Sequence, residues 1–184
     1  MTPYSKKEIM VLAAARQIKN RDMVFCGTGI SMLAAVAAKH IYAPDCMIIF
    51  ETGAIDSKLE KLPLAVSDSR VMFGAQSFCS LTDIFSYMQN RKTGSNIVGI
   101  IGAAQIDPYG NLNSTMIGDY GSVTARFPGS GGACDVASFV STNIIFMTLE
   151  KRKFVRKLDY MTSPGWLSGF DSRVKQGLSP HGPK

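Results

Sequence analysis

The apolar positions of this chain alternate between short continuous runs and sets spaced for helices. Ser5-Lys6-Lys7-Glu8 has the S-x-x-E spacing in which a hydroxyl and a carboxylate cap a helix reciprocally. Ile9, Leu12, Ala13 and Ile18 then recur at helical intervals, so a helix is expected from about residue 5 to 19. Asp22 to Cys26 reads as a short buried strand, Gly27-Thr28-Gly29 as a tight turn, and Ile30 to Lys39 as an Ala-rich helix that can pack closely on a sheet. The run from Cys46 to Phe50 predicts a second strand, and a loop through Pro63 leads to another near Val71-Met72-Phe73. Ser80 or Thr82 caps a helix running to about Gln89, which Gly94 stops before a strand from Asn96 to Ala103. Asp107-Pro108-Tyr109-Gly110 is a turn sequence, with Pro second and Gly last, and a Ser/Thr/Gly-rich stretch extends from it to Gly132. A helix from about Cys134, a strand from Asn143 to Leu149 and a further strand from Phe154 to Tyr160 complete the pattern. Continuous apolar strands alternating with helices predict an α/β fold with an open, mostly parallel sheet covered on both faces.

Composition narrows the class. At 184 residues and 46% apolar, the chain is long enough for one domain with a substantial core. No apolar stretch reaches the roughly 20 residues of a membrane helix. The longest, around Ile97 to Ala104, is broken by glycines, and Lys6, Lys7 and Glu8 open a helix rather than a signal peptide, so a cytoplasmic protein without a membrane partner is expected. Cys26, Cys46, Cys79 and Cys134 form no CxxC pair, and His40 and His181 are the only histidines. That argues against disulfides, a zinc site or any other metal, and a Ser-His-Asp triad. An enzyme built from this chain works with carboxylates, backbone amides or cysteine. The net charge of +6 is local: residues 151–184 carry eight Lys/Arg against Asp159 and Asp171, while residues 1–150 hold twelve of each sign. This basic end reads as a solvated or partner-facing surface; nucleic acid is disfavoured because no aromatic-basic interleaving accompanies it.

Three places can carry chemistry. Glu51 ends the run Cys46-Met47-Ile48-Ile49-Phe50 and is followed by Thr52-Gly53. A carboxylate delivered to the rim of a buried strand, beside a glycine that lets a ligand come close, has the character of a nucleophile or base. Gly129-Ser130-Gly131-Gly132-Ala133, ahead of a helix, is either a flexible loop or a nest of N–H groups that holds an oxyanion. Paired with a carboxylate nucleophile, such a nest supplies what acyl transfer requires. Gly27-Thr28-Gly29 is either a structural turn or a phosphate cradle; it lacks both the third glycine of the dinucleotide fingerprint and the Lys-Ser/Thr of a P-loop. Gln105, at a strand end, either bonds a substrate carbonyl or caps a neighbouring loop. Cys46 and Cys134 are disfavoured as nucleophiles, because no histidine is expected close enough to activate either.

Several separate segments, in order, resemble the B subunits of family I CoA-transferases of the glutaconate type. They are Tyr42-Ala43-Pro44-Asp45, Glu51-Thr52-Gly53, Gly102-Ala103-Ala104-Gln105-Ile106-Asp107-Pro108-Tyr109-Gly110-Asn111, Ile117-Gly118-Asp119-Tyr120, Gly129-Ser130-Gly131-Gly132-Ala133 and Asp159-Tyr160-Met161-Thr162-Ser163-Pro164-Gly165-Trp166. The resemblance implies an open α/β sandwich shared with sugar-phosphate isomerases, a single B-type domain over 1–184, and an A-type partner with the active site at the junction. It implies coenzyme A as co-substrate with no permanently bound cofactor, Glu51 as the residue that attacks the acyl-CoA thioester, and the N–H groups of Gly131, Gly132 and Ala133 as oxyanion donors. Gly27 and Gly29 then form a structural or CoA-facing turn, and Gln105 is a candidate substrate contact. B subunits of this family are usually longer, so further strands are expected beyond Ser179 to Lys184, and a naturally short form and a truncated one are both open. Relatives that decarboxylate acyl-CoA or hydrolyse its carbon–carbon bonds generally replace the glutamate, so Glu51 favours transfer. An acyl-CoA hydrolase or decarboxylase, and a non-catalytic nucleotide-binding or assembly subunit, are the alternative readings.

Overall fold

A computed structural model describes residues 4–90 and 96–183. The chain forms two compact units, Met1–Ile100 and Ile101–Lys184.

The first unit opens with α1, Lys6–Ala15, whose expected capping box is present. Glu8 N–H donates to Ser5 Oγ at 3.2 Å and Ser5 N–H to the Glu8 carboxylate at 2.6 Å. The helix ends at Arg16 rather than near residue 19, because Lys19 to Asp22 form a turn closed by the Asp22 carboxylate on Lys19 N–H. Strand β1, Met23–Cys26, leads through Gly27 to Gly29 into α2, Ile30–Ala37. Here the helix shifts register: Ala43 N–H donates to Ala38 O at 2.7 Å, making a π-helical turn over Ala38–Tyr42 instead of two more α residues. Strand β2, Met47–Ile49, lies parallel to β1, with Phe25 opposite Ile49. It turns back as β3, Ala54–Ile55, which pairs antiparallel with β4, Ser77–Phe78. Helix α3, Leu81–Gln89, is capped by Ser80 and Asp83, and Gly94, its expected stop, lies outside the described residues. Strand β5, Ile97–Gly102, lies parallel to β1 on the side away from β2, giving the order β5-β1-β2-β3-β4.

Strands β1, β2 and β5 are apolar at almost every position, as strands covered on both faces must be. Val24, Ile48, Ile49, Ile97 and Ile100 are all buried. Each such side chain contributes roughly 1.5–3 kcal/mol when fully withdrawn from water. The small residues Ala14 and Ala15 of α1 and Ala34, Ala35 and Ala38 at and beyond α2 are also buried, which lets the two helices approach closely. Phe85 of α3 meets Phe25 of β1 with ring centroids 6.2 Å apart.

The second unit contains two hairpins: β6, Gln105–Ile106, with β7, Leu112–Asn113, and β8, Met116–Asp119, with β9, Ser122–Arg126, the latter pair bulged between Ile117 and Gly118. The expected turn at Asp107 to Gly110 joins β6 to β7: Gly110 N–H donates to Asp107 O at 3.0 Å and Tyr109 N–H to the Asp107 carboxylate at 2.9 Å. Helix α4, Ala133–Phe139, precedes β10, Thr142–Phe146, and α5 is a single turn, Ser172–Lys175. Among the described residues, no helix is long and apolar enough to cross a membrane.

At four further places the structure departs from the sequence reading or adds to it. Val71 to Phe73 is not a strand: Asp68 accepts Arg70 N–H at 3.0 Å and starts a 3-10 turn, Ser69–Met72, which buries Val71. Phe154 to Tyr160 makes only one parallel bridge, Phe154 to Ile106, after a 3-10 turn at Lys151–Lys153. The Ser/Thr/Gly-rich stretch holds the β8–β9 hairpin, whose short alternating strands are half solvated. The basic end is not wholly a solvated face either. Arg173 is fully buried and donates to five backbone carbonyls, those of Ala137, Ser138, Pro164, Gly165 and Ser179, at 2.6–3.1 Å. Loss of hydration pulls its pKa below the usual guanidinium value.

Candidate active site

Parallel strands deliver their carboxyl ends to one edge of a sheet, and ligands of open α/β folds bind there. The β1–β2 register puts the chain leaving Cys26, with Gly27 and Gly29, at the same edge as the chain leaving Ile49, with Phe50 and Glu51. Phe50 is buried, and Glu51 is the first residue past it, second in a turn that Gly53 N–H closes on Phe50 O at 2.9 Å. Phe50 N–H in turn donates to Ala54 O at 3.0 Å. Among the described residues the half-buried Glu51 carboxylate has no hydrogen-bond or ion-pair partner. The hydroxyl of Thr52 beside it is buried without one.

Gly53 does something other than admit a ligand, which corrects the expectation drawn from its place beside Glu51. Its φ is +97°, and a Cβ there would lie 1.8 Å from Cys79 O. Cys79 N–H donates to Gly53 O at 3.0 Å, so the backbone beyond β4 already occupies the space that the glycine opens. Gly27 and Gly29 are different: a Cβ at either would meet nothing within 4 Å. Gly29, at φ +91°, is the N-cap of α2 and supplies no side-chain acceptor, so the first N–H groups of that helix carry no side-chain cap.

In the second unit, Gly129 and Gly131 have φ of +93° and +47°, and Gly132 is right-handed at φ −78°. Successive left- and right-handed residues turn their N–H groups towards one side, which is the geometry of a nest. Ala133 N–H donates to Ser130 O at 2.8 Å and Cys134 N–H to Ser130 Oγ at 3.0 Å, so Ser130 closes the turn on the start of α4. The N–H groups of Gly131 and Gly132 make no hydrogen bond among the described residues. Of the three expected donors, Ala133 is thus engaged inside the loop, leaving the two glycines available.

Gln105 is buried and its amide is occupied on both sides. It donates to the Asp159 carboxylate at 3.1 Å, and it accepts from Asn113 Nδ2 at 2.7 Å and from Asp159 N–H at 3.2 Å. These are the bonds of a loop cap. Cys46 is buried, and that burial raises its pKa; Cys134 lies half-buried in the first turn of α4.

The sequence reading missed a polar cluster in the first unit. Lys39 Nζ lies 2.6 Å from the carboxylate of buried Asp56, which also accepts Gln76 Nε2 at 2.6 Å. The available signal was a lysine inside an Ala-rich helix and an aspartate directly after a buried hairpin.

A family model described as Coenzyme A transferase matches residues 7–176. The chain belongs to that family and is a CoA-transferase, with CoA as co-substrate. It is 44% identical over 181 residues to the B subunit of glutaconate CoA-transferase from Acidaminococcus fermentans, covering 96% of this chain and 67% of the relative. It is 39% identical over 183 residues to the B subunit of 3-oxoadipate CoA-transferase from Pseudomonas knackmussii, covering 100% of this chain and 70% of the relative. The crystal structure of the Acidaminococcus fermentans glutaconate CoA-transferase superposes with a TM-score of 0.94 at 42% identity, over all of this chain and 71% of the other. The decarboxylase AibA/AibB shares the fold, with a TM-score of 0.77 at 23% identity over 88% of this chain and 67% of that chain.

Proposed function

We propose that this chain is the B-type subunit of a heteromeric CoA-transferase, working with an A-type subunit, and that Glu51 is the nucleophile. The observation that supports the reading is the Glu51 carboxylate itself, set on a turn beyond β2 with no partner among the described residues to neutralise it. The carboxylate attacks the thioester carbonyl of an acyl-CoA, giving a mixed anhydride and releasing CoA thiolate. The thiolate attacks the glutamyl carbonyl of that anhydride, forming a Glu51–CoA thioester while the donor acid leaves as its carboxylate. An acceptor carboxylate then attacks the thioester and regenerates an anhydride and thiolate; thiolate attack on the acyl carbonyl releases the new acyl-CoA and free Glu51. One thioester is broken and one formed, so the exchange needs no external energy and follows ping-pong kinetics.

Each tetrahedral intermediate carries an oxyanion. The N–H groups of Gly131 and Gly132 are its proposed donors, and losing one well-aimed donor costs about 10² to 10³ in rate. The uncapped start of α2, behind Gly27 and Gly29, is the proposed seat for a phosphate of CoA. The acid is a short carboxylate of the glutaconate kind; two relatives named for dicarboxylates, glutaconate and 3-oxoadipate, support that class. In complex with the A-type subunit, Glu51→Gln should retain the wild-type melting temperature and lose transfer. Substantial residual exchange would remove Glu51 from the mechanism.

A further inference from the structure

Asp56 is an anomaly in the first unit. It is 7% exposed and sits at φ +54°, a left-handed conformation that only glycine, asparagine and aspartate adopt with ease. Its carboxylate joins three segments. Oδ1 accepts from Lys39 Nζ, in the π-helical turn after α2, at 2.6 Å and from Ile48 N–H of β2 at 3.4 Å; Oδ2 accepts from Gln76 Nε2, ahead of β4, at 2.6 Å. Lys39 Nζ also donates to Cys46 O at 2.7 Å, just before β2. Backbone bonds complete the junction, from Asp56 N–H to Ile48 O at 2.7 Å and from Gln76 N–H to Ile55 O at 2.9 Å.

Asp56 and Glu51 thus occupy opposite ends of one hairpin. Glu51 rides on the closed end, where the Cys79 backbone is seated against Gly53, and Asp56 ties the open end. The pair is buried on the Asp56 side and half-buried at Lys39. Ion pairs withdrawn from water are weak evidence for stability, since apolar substitutes often do as well; their best-attested use is to select one arrangement among several. Strained backbone and π-helical turns likewise concentrate where geometry serves function. We infer that the Lys39–Asp56–Gln76 cluster is a brace whose work is to hold the β2–β3 hairpin in the single register that presents Glu51 to the thioester. The inference rests on Glu51 as nucleophile. All three are positioning residues, and none is assigned contact with substrate.

The test uses the complex with the A-type subunit. The double variant Lys39→Met/Asp56→Asn removes both charges together while keeping a residue that tolerates φ +54°. Misplacing a reacting group by an ångström can cost about 10² in rate, so kcat should fall by about tenfold or more. KM for acyl-CoA should stay within about twofold and the melting temperature should be maintained, because the lost interaction concerns the transition state. Lys39→Arg, which retains the cation, should restore most of kcat. Gln76→Met alters an exposed residue and leaves the ion pair intact; it keeps the test decisive if the double variant does not fold, and its kcat should fall by about threefold or more at unchanged KM. Wild-type kcat in Gln76→Met, or in a folded double variant, would overturn the brace. Glu51→Gln measured alongside separates the two claims: if it is inactive while the brace variants are fully active, only the brace fails. If it stays active, the nucleophile assignment fails first.

Discussion

The Glu51 turn and the Gly129 to Gly132 loop both depend on glycine, for opposite reasons. At Gly53 the constraint is contact: φ is +97°, and any Cβ would run into Cys79 O at 1.8 Å. At Gly129 and Gly131 the constraint is conformation alone, since φ is +93° and +47° but nothing lies within 4 Å of a Cβ. The first glycine brings two strands together beneath a carboxylate; of the second pair, Gly129 donates its N–H to Ser114 O at 3.0 Å, and Gly131 N–H makes no hydrogen bond among the described residues. A nucleophile attached by a flexible side chain gains from a tightly seated base. Hydrogen-bond donors aimed at a developing charge need instead an unobstructed approach.

Gly53→Ala is the sharpest way to break the comparison. It requires the Cys79 backbone to move, and overpacking together with a strained positive φ should cost about 2–4 kcal/mol in urea unfolding and abolish transfer. A variant of unchanged stability would mean that the close contact is not real. Gly131→Val should act on rate more than on stability. A β-branched residue resists positive φ and swings an N–H out of line, so kcat should drop by about 10² to 10³ while unfolding changes by about 1–2 kcal/mol. Wild-type turnover would reduce the nest to an ordinary loop. The smallest effect is confined to the sheet beneath Glu51. Burial pushes the Cys26 thiol from 9.0 up to about 12. Between those values the unfolded chain releases a proton that the folded chain keeps, so this contribution is complete below pH 9.0 and is lost as pH rises towards about 12. Melting temperatures at pH of about 8 and about 10.5 should therefore diverge more in the wild type than in Cys26→Ala.

Where local pattern decides structure, the sequence was legible. The Ser5 and Ser80 caps, the apolar strands β1, β2 and β5 and the Asp107 turn all lie where spacing and turn chemistry place them. Strands β3 and β4 are two residues each, too short for any period, and exist because the hairpin register and Asp56 hold them. The Phe154 to Tyr160 stretch has strand-forming residues but gains one bridge, because Asp159 is committed to Gln105 and to Gly118 N–H. Charge was the least legible property. Arg173 counts as part of a basic surface in the sequence and is a buried clamp in the fold, and nothing local distinguishes it from exposed Lys175. Glu51 was marked out as a candidate because it ends the apolar run Cys46 to Phe50. Asp56 was not, because its significance comes from Lys39 and Gln76, both remote in sequence.

The central claim is that Glu51 becomes covalently attached to CoA. The direct measurement is to incubate the complex of this chain and its proposed A-type partner with acyl-CoA, reduce with borohydride, and locate the modified residue by peptide mass spectrometry. A glutamyl-CoA thioester is reduced to an alcohol, so the account predicts that change at Glu51 with parallel loss of activity. An unmodified Glu51 in a complex that still consumes acyl-CoA would contradict it and point to hydrolysis or decarboxylation on the same scaffold.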